Sequence, residues 1–181
     1  MDSLMAITQA RGLFASVANK LSEAGATPEQ LAKTIPAHRM LGLIPRPETF
    51  KKAGEGFLIG ALFVTSQGEV FEPGKIVRAS RQVAPDHQSQ NAQVRQSLKD
   101  KLLRARFPEN RTVLIDARPI PLNDPLALTK EHGPLVLRID SNQESKLLVR
   151  WIPSAPDSAL RPLSEYLAER LELALTAIKD A

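Results

Sequence analysis

Fourteen prolines punctuate this chain of 181 residues, and their positions limit where a helix can run. Proline lacks the amide that a helix interior needs and clashes with the turn before it, so it is tolerated only at a helix start. Residues 2–24 contain none, and Leu4, Ile7, Phe14, Ala18 and Leu21 recur there at helical spacing ahead of Gly25. An amphipathic N-terminal helix is predicted. Thr27-Pro28-Glu29-Gln30 then combines an N-cap, a proline at the first helical position and Gln three residues after the cap. This predicts a short second helix from Pro28 to about Ile35, closed by Pro36.

Residues 36–56 hold three prolines and three glycines around Met40-Leu41-Gly42-Leu43-Ile44 and read as a long connection, the best candidate hinge. From Phe57 the period changes to that of strands. Phe57 to Thr65 is apolar on both alternating faces, which predicts one strand covered on both sides. Turns at Ser66–Glu69 and Pro73-Gly74 separate it from Val70-Phe71 and from the alternating run Lys75–Ser80, an antiparallel meander of two or three strands.

Asn91 to Phe107 predicts a strong helix ended by Pro108, and Thr112 to Asp116 a buried strand. Prolines 119, 121, 125 and 134 mark an extended excursion. Leu135–Ile139 and Lys146–Ile152 then pair as a hairpin, and Pro162 starts a last helix to about Lys179 with Leu163, Leu167, Leu171, Ala174, Leu175 and Ile178 on one face. The order predicts an α+β fold: a mostly antiparallel sheet of about five to six strands packed with N-terminal, central and C-terminal helices. In domain terms, a helical segment (1–35), a Pro/Gly connection (36–56) and an α+β core (57–181) make one domain overall.

Cysteine is absent, so disulfides, Cys-ligated zinc, iron–sulfur clusters and thiol nucleophiles are excluded. Met1-Asp2-Ser3-Leu4 carries an acid where a secretory leader needs positive charge, and no apolar run is long enough to span a bilayer. The expectation is a cytoplasmic protein with no membrane partner.

Charge is the feature most relevant to partners. The chain carries +4, yet Lys75–Arg111 alone has nine basic and three acidic residues, a net +6. At 100° per residue Val94, Leu98, Leu102 and Ala105 share one face of the central helix and Arg95, Lys99 and Arg106 an adjoining strip. The candidate anion-binding set is Arg78, Arg81, Arg95, Lys99, Lys101, Arg104 and Arg106. Such a line suits phosphate oxygens or an acidic partner surface. The alternative is a solvated helix face, and no interleaved aromatic supports base stacking.

Catalytic signals are sparse. His38, His87 and His132 fall in separate loops without metal-ligand spacing, so no metal is expected. Asp86, His87, Asp116 and His132 are the candidates for acid–base work, with Ser89 or Asn91 read as the cap of the central helix. Gly54-Glu55-Gly56 and Gly60 match a loose dinucleotide spacing in reversed context, a strand following rather than preceding, so no cofactor is expected. Gly54 and Gly56 read instead as a flexible lead-in and Gly60 as a close-approach point.

Phe57-Leu58-Ile59-Gly60-Ala61-Leu62, Ile76-Val77-Arg78-Ala79, Ala105-Arg106-Phe107-Pro108-Glu109, Val149-Arg150-Trp151 and Arg161-Pro162-Leu163 make residues 55–180 resemble a small uncharacterised bacterial family. Some similar sequences carry a glutaminase label. No serine here has lysine three residues on, as a serine-type glutaminase requires, so the resemblance implies a shared fold and leaves function open.

The functional expectation is a non-catalytic binding or assembly module with a protein partner or self-association, a homodimer through the N-terminal helix included. Nucleic-acid or polyanion binding through 75–111 is the first alternative, and a hydrolase of unnamed substrate the second.

Overall fold

The computed structural model describes residues 2–80, 89–129 and 133–180. The chain begins with α1 (Ser3–Glu23), β1 (Glu29–Ile35), the small hairpin β2 (His38–Met40) and β3 (Ile44–Arg46), and the long strand β4 (Thr49–Ile59). It continues through β5 (Leu62–Thr65), β6 (Val70–Glu72), β7 (Lys75–Ala79), α2 (Gln90–Arg104), β8 (Arg111–Ile115) and β9 (Arg118–Pro119). The last part holds α3 (Pro125–Thr129), β10 (Leu135–Ile139), β11 (Ser145–Val149), β12 (Arg161–Pro162) and α4 (Leu163–Lys179). No helix among the described residues is long and apolar enough to cross a membrane.

The fold is α+β, with four α-helices among the described residues and a mixed sheet whose strand order is β7-β8-β1-β4-β5-β6-β9. The expected sheet of five to six strands has seven among the described residues; the pairings β4–β5, β5–β6, β6–β9 and β7–β8 are antiparallel as expected, but β1 runs parallel to β8 (Leu31 opposite Leu114). Two further small sheets are antiparallel, β10-β11-β12 and β2-β3. The parallel pair was hidden because residues 28–35 carry a helix-start pattern, yet Glu29–Ile35 forms β1. A helix of two turns nucleates poorly in isolation. In β1 the backbone is satisfied by β8, with Leu31 and Ala32 buried at 4% and 3% exposure.

By their contacts the residues divide into two units. The first comprises Met1–Pro28, Gly56–Glu72 and Arg118–Ala181, the second Glu29–Glu55 and Pro73–Ala117. Strand β4 contributes residues 49–55 to the second and 56–59 to the first. The region expected as a connection is therefore largely strand, and Gly54 and Gly56 lie within β4 rather than in a flexible lead-in.

In the first unit α1 buries Ala6, Ile7, Ala10, Phe14, Val17, Ala18 and Leu21 in one apolar cluster with Leu62, Val64, Leu137, Val149, Tyr166 and Leu167. Leu4, expected on that face, is exposed instead. The run Phe57–Thr65 is not one strand but a hairpin, with Ile59 opposite Leu62 around Gly60-Ala61. Gly60 has φ +62, the hand a two-residue hairpin turn demands. A Cβ on Gly56 would meet the Val64 carbonyl oxygen at 2.3 Å, so only glycine lets these strands approach there. Strand β5 is buried along its whole length, as its two-sided apolarity predicts.

In the second unit β7 pairs antiparallel with β8, from Lys75 opposite Ile115 to Ala79 opposite Arg111. It is thus not the third strand of the β5–β6 meander. Ala32, Phe50, Val77, Ala79, Leu102, Phe107, Val113 and Ile115 form this unit's core.

Candidate functional site

Helix α2 starts at Ser89, whose Oγ accepts from the Ala92 amide at 3.4 Å, so the serine is the cap. It ends where Phe107 N–H donates to Leu102 O at 3.1 Å and Arg106 N–H to Leu103 O at 3.0 Å. These two bonds make a Schellman motif, with Arg106 at φ +62 in the position glycine usually takes. Phe107 and Leu102, both buried, supply its apolar contact.

The apolar face of α2 is used unevenly. Leu102 is completely buried and Leu98 partly so, but Val94 is 53% exposed. The helix closes on the core at its C-terminal half and leaves its N-terminal half open. Beside that half is a groove of about 770 Å³, lined by Lys75–Arg78 of β7 and by Asn91, Val94, Arg95, Leu98 and Lys99 of α2. Ile76, in its lining, is 50% exposed. Among the described residues no carboxylate lines the groove, and Lys75, Arg78 and Arg95 have no ion pair.

Of the expected anion-binding set, the groove gathers Arg78, Arg95 and Lys99 and adds Lys75, which sequence reasoning left out. Lys75 is separated from α2 along the chain, and only the β7–β8 pairing shows that β7 leaves the meander. Lys101 is committed elsewhere, its Nζ 2.7 Å from Glu48 Oε1. Arg104 and Arg106 do not line the groove. Arg81 lies outside the described residues.

The acid–base candidates do not assemble among the described residues. Asp86, His87 and His132 fall outside them. Asp116 is exposed and each of its oxygens accepts from Thr34: Thr34 N–H donates to Oδ1 at 2.8 Å and Thr34 Oγ1–H to Oδ2 at 2.6 Å. Its own N–H donates to Ala32 O at 2.8 Å, tying the ends of β8 and β1 together. His38 is exposed, its Nδ1 3.1 Å from Pro36 O. Among the described residues no cluster of three metal-ligating side chains occurs.

Elsewhere the charged side chains brace loops. Arg150 bonds the Ala155 carbonyl through Nη1 and Asp157 Oδ1 through Nη2 at 2.8 Å, and Arg138 holds Asp157 Oδ2 at 2.7 Å. These guanidiniums, Arg150 first, hold the Asp157 carboxyl below the usual carboxylate range. The Lys146 ammonium does the same for Asp140, helped by the Glu144 and Asn142 amides.

No family model, curated protein or solved structure matches the chain.

Proposed function

We propose that this protein is a non-catalytic binding module whose ligand surface is the groove between β7 and α2, and that the ligand is anionic. The observation that carries the reading is the charge of the lining: Lys75, Arg78, Arg95 and Lys99 line the groove beside Ile76, Val94 and Leu98, and among the described residues no carboxylate joins them. Of these, Lys75, Arg78 and Arg95 have no ion pair among the described residues, and like charges so gathered raise the local potential and favour an incoming anion. Against catalysis stands the engagement of Asp116, whose two oxygens both accept from Thr34. Self-association through α1 loses its main support, because the stripe that suggested it packs into the unit's own core.

Binding is tested by fluorescence anisotropy with a labelled ten-residue glutamate peptide and with single-stranded DNA and RNA ten nucleotides long. Each is titrated at low and physiological salt against the wild type and the Arg95→Glu, Lys99→Glu double variant. Salt-sensitive binding that the double variant loses supports the groove. Binding that survives both reversals places the site elsewhere, and no binding at low salt removes the reading.

A further inference from the structure

We infer that the groove takes an acidic peptide in extended form, added as a strand to the outer edge of β7; this rests on the groove being the ligand surface proposed above. Three observations converge. First, β7 is the end strand of the sheet order, and among the described residues it pairs on one side only, with β8. The backbone amides and carbonyls on its other side are a template for a further strand.

Second, the groove follows that edge. Four consecutive residues, Lys75 to Arg78, line it. Consecutive strand residues point to opposite faces, so a recess touched by all four runs alongside the strand rather than over one face. Its length on β7 is about 10 Å at the rise of a strand. The α2 wall from Asn91 to Lys99 measures about 12 Å at the rise of a helix. An extended peptide of about four residues spans either.

Third, the walls are two-natured. Ile76 and Val94 present half-exposed apolar surface while Lys75, Arg78, Arg95 and Lys99 supply only positive charge. A strand alternating acidic and apolar side chains matches both. Nucleic acid matches the charge alone, because among the described residues no aromatic side chain lines the groove to stack a base.

The test uses the full chain and a set of fluorescent heptapeptides in which Asp or Glu alternates with Val, Ile or Leu. Each peptide is also made with alternate backbone nitrogens methylated, in both registers, which removes hydrogen-bond donors and keeps charge and side chains. The expected result is that members of the set bind, that Arg95→Glu with Lys99→Glu weakens them about tenfold or more, and that methylation in one register weakens them about tenfold while the other is tolerated. If both methylated forms bind as well as the parent, strand addition is overturned while the anionic groove stands. If the double reversal changes nothing, the groove reading itself falls. Binding of the oligonucleotides but of no peptide tighter than about 1 mM overturns the peptide as occupant.

Discussion

Asp116 and Thr34 are joined twice, by the Thr34 amide at 2.8 Å and the Thr34 hydroxyl at 2.6 Å, across the ends of the parallel pair β8 and β1. A parallel pair has no hairpin to set its register, so a side-chain clamp where the strands separate does part of that work. Asp116 also sits at φ +54, a region that aspartate and asparagine tolerate better than most residues. Asp116→Ala loses both bonds and adds backbone strain, and a destabilisation of about 2 kcal/mol is expected. Asp116→Asn keeps an acceptor and the conformation, and should cost less than about 1 kcal/mol. Urea unfolding of both variants measures this. Peptide binding at the groove should be unchanged in Asp116→Asn, which a role of Asp116 in the ligand site would not allow.

Gly60 and Tyr166 form a second fixed point. Tyr166 Oη accepts from the Ala61 amide at 2.8 Å, and a Cβ on Gly60 would lie 2.1 Å from that oxygen. Gly60→Ala therefore combines the cost of φ +62 with a collision, and a loss of about 3 kcal/mol or more is expected. Tyr166→Phe removes the obstructing oxygen and one hydrogen bond, about 1 kcal/mol alone. The double variant should be more stable than the two single losses together imply. A thermal or urea double-mutant cycle reads this coupling, and strict additivity would show that the hydroxyl is not the obstacle.

What could be read from residues alone follows from how local each signal is. Helices α2 and α4 carry their apolar stripes over fifteen residues or more, and both were legible. The β10–β11 hairpin was legible because its strands are neighbours with a polar turn between them. Strand β1 was not, since its partner Val113–Ile115 lies some eighty residues on and nothing near Pro28 reports it. The candidate site divides the same way. The cations of α2 are visible as a sequence strip, but the groove needs β7 beside α2, which is a tertiary fact. Several of the short motifs visible in the sequence have local structural work here: Gly60 in a turn, Arg106-Phe107 at a helix end, Arg150 on a loop and Arg161 paired with Glu169 at 2.6 Å. Ile76-Val77-Arg78 does line the groove, but as a short alternating run it reads only as a strand, and nothing in it reports that α2 lies beside it.

Arg106 ends α2 in the left-handed conformation that only glycine adopts without strain. Its side chain does not line the groove. Arg106→Gly should stabilise the protein by about 1 kcal/mol, less a few tenths for glycine's freedom when unfolded. Affinity for the acidic peptides should stay within about twofold of wild type, a change of about 0.4 kcal/mol. A large loss of affinity would instead enlist Arg106 in the binding surface, as the sequence strip with Arg95 and Lys99 suggested. Calorimetry and anisotropy on the one variant separate the two.

Acid should loosen the first unit through Asp157. Its carboxyl titrates lower in the folded chain than its ordinary value of 3.8, because Arg150 and then Arg138 hold the charged form. A carboxylate with a depressed folded value contributes stability that is fully present above the unfolded value. That contribution is lost as pH falls through the folded one. The window therefore opens near pH 4 and extends downward. Both partners reach Asp157 from the β10–β11 strand pair and its exit, so the interaction braces residues 150–159 against that sheet. Asp157→Asn should lower stability at neutral pH and leave it little changed at pH 2, so that the stability of variant and wild type converges in acid. Urea titrations between pH 2 and 7 would show that convergence. A gap that stays constant across the range would mean the loss is one of packing or loop geometry, with the charge of Asp157 playing no part.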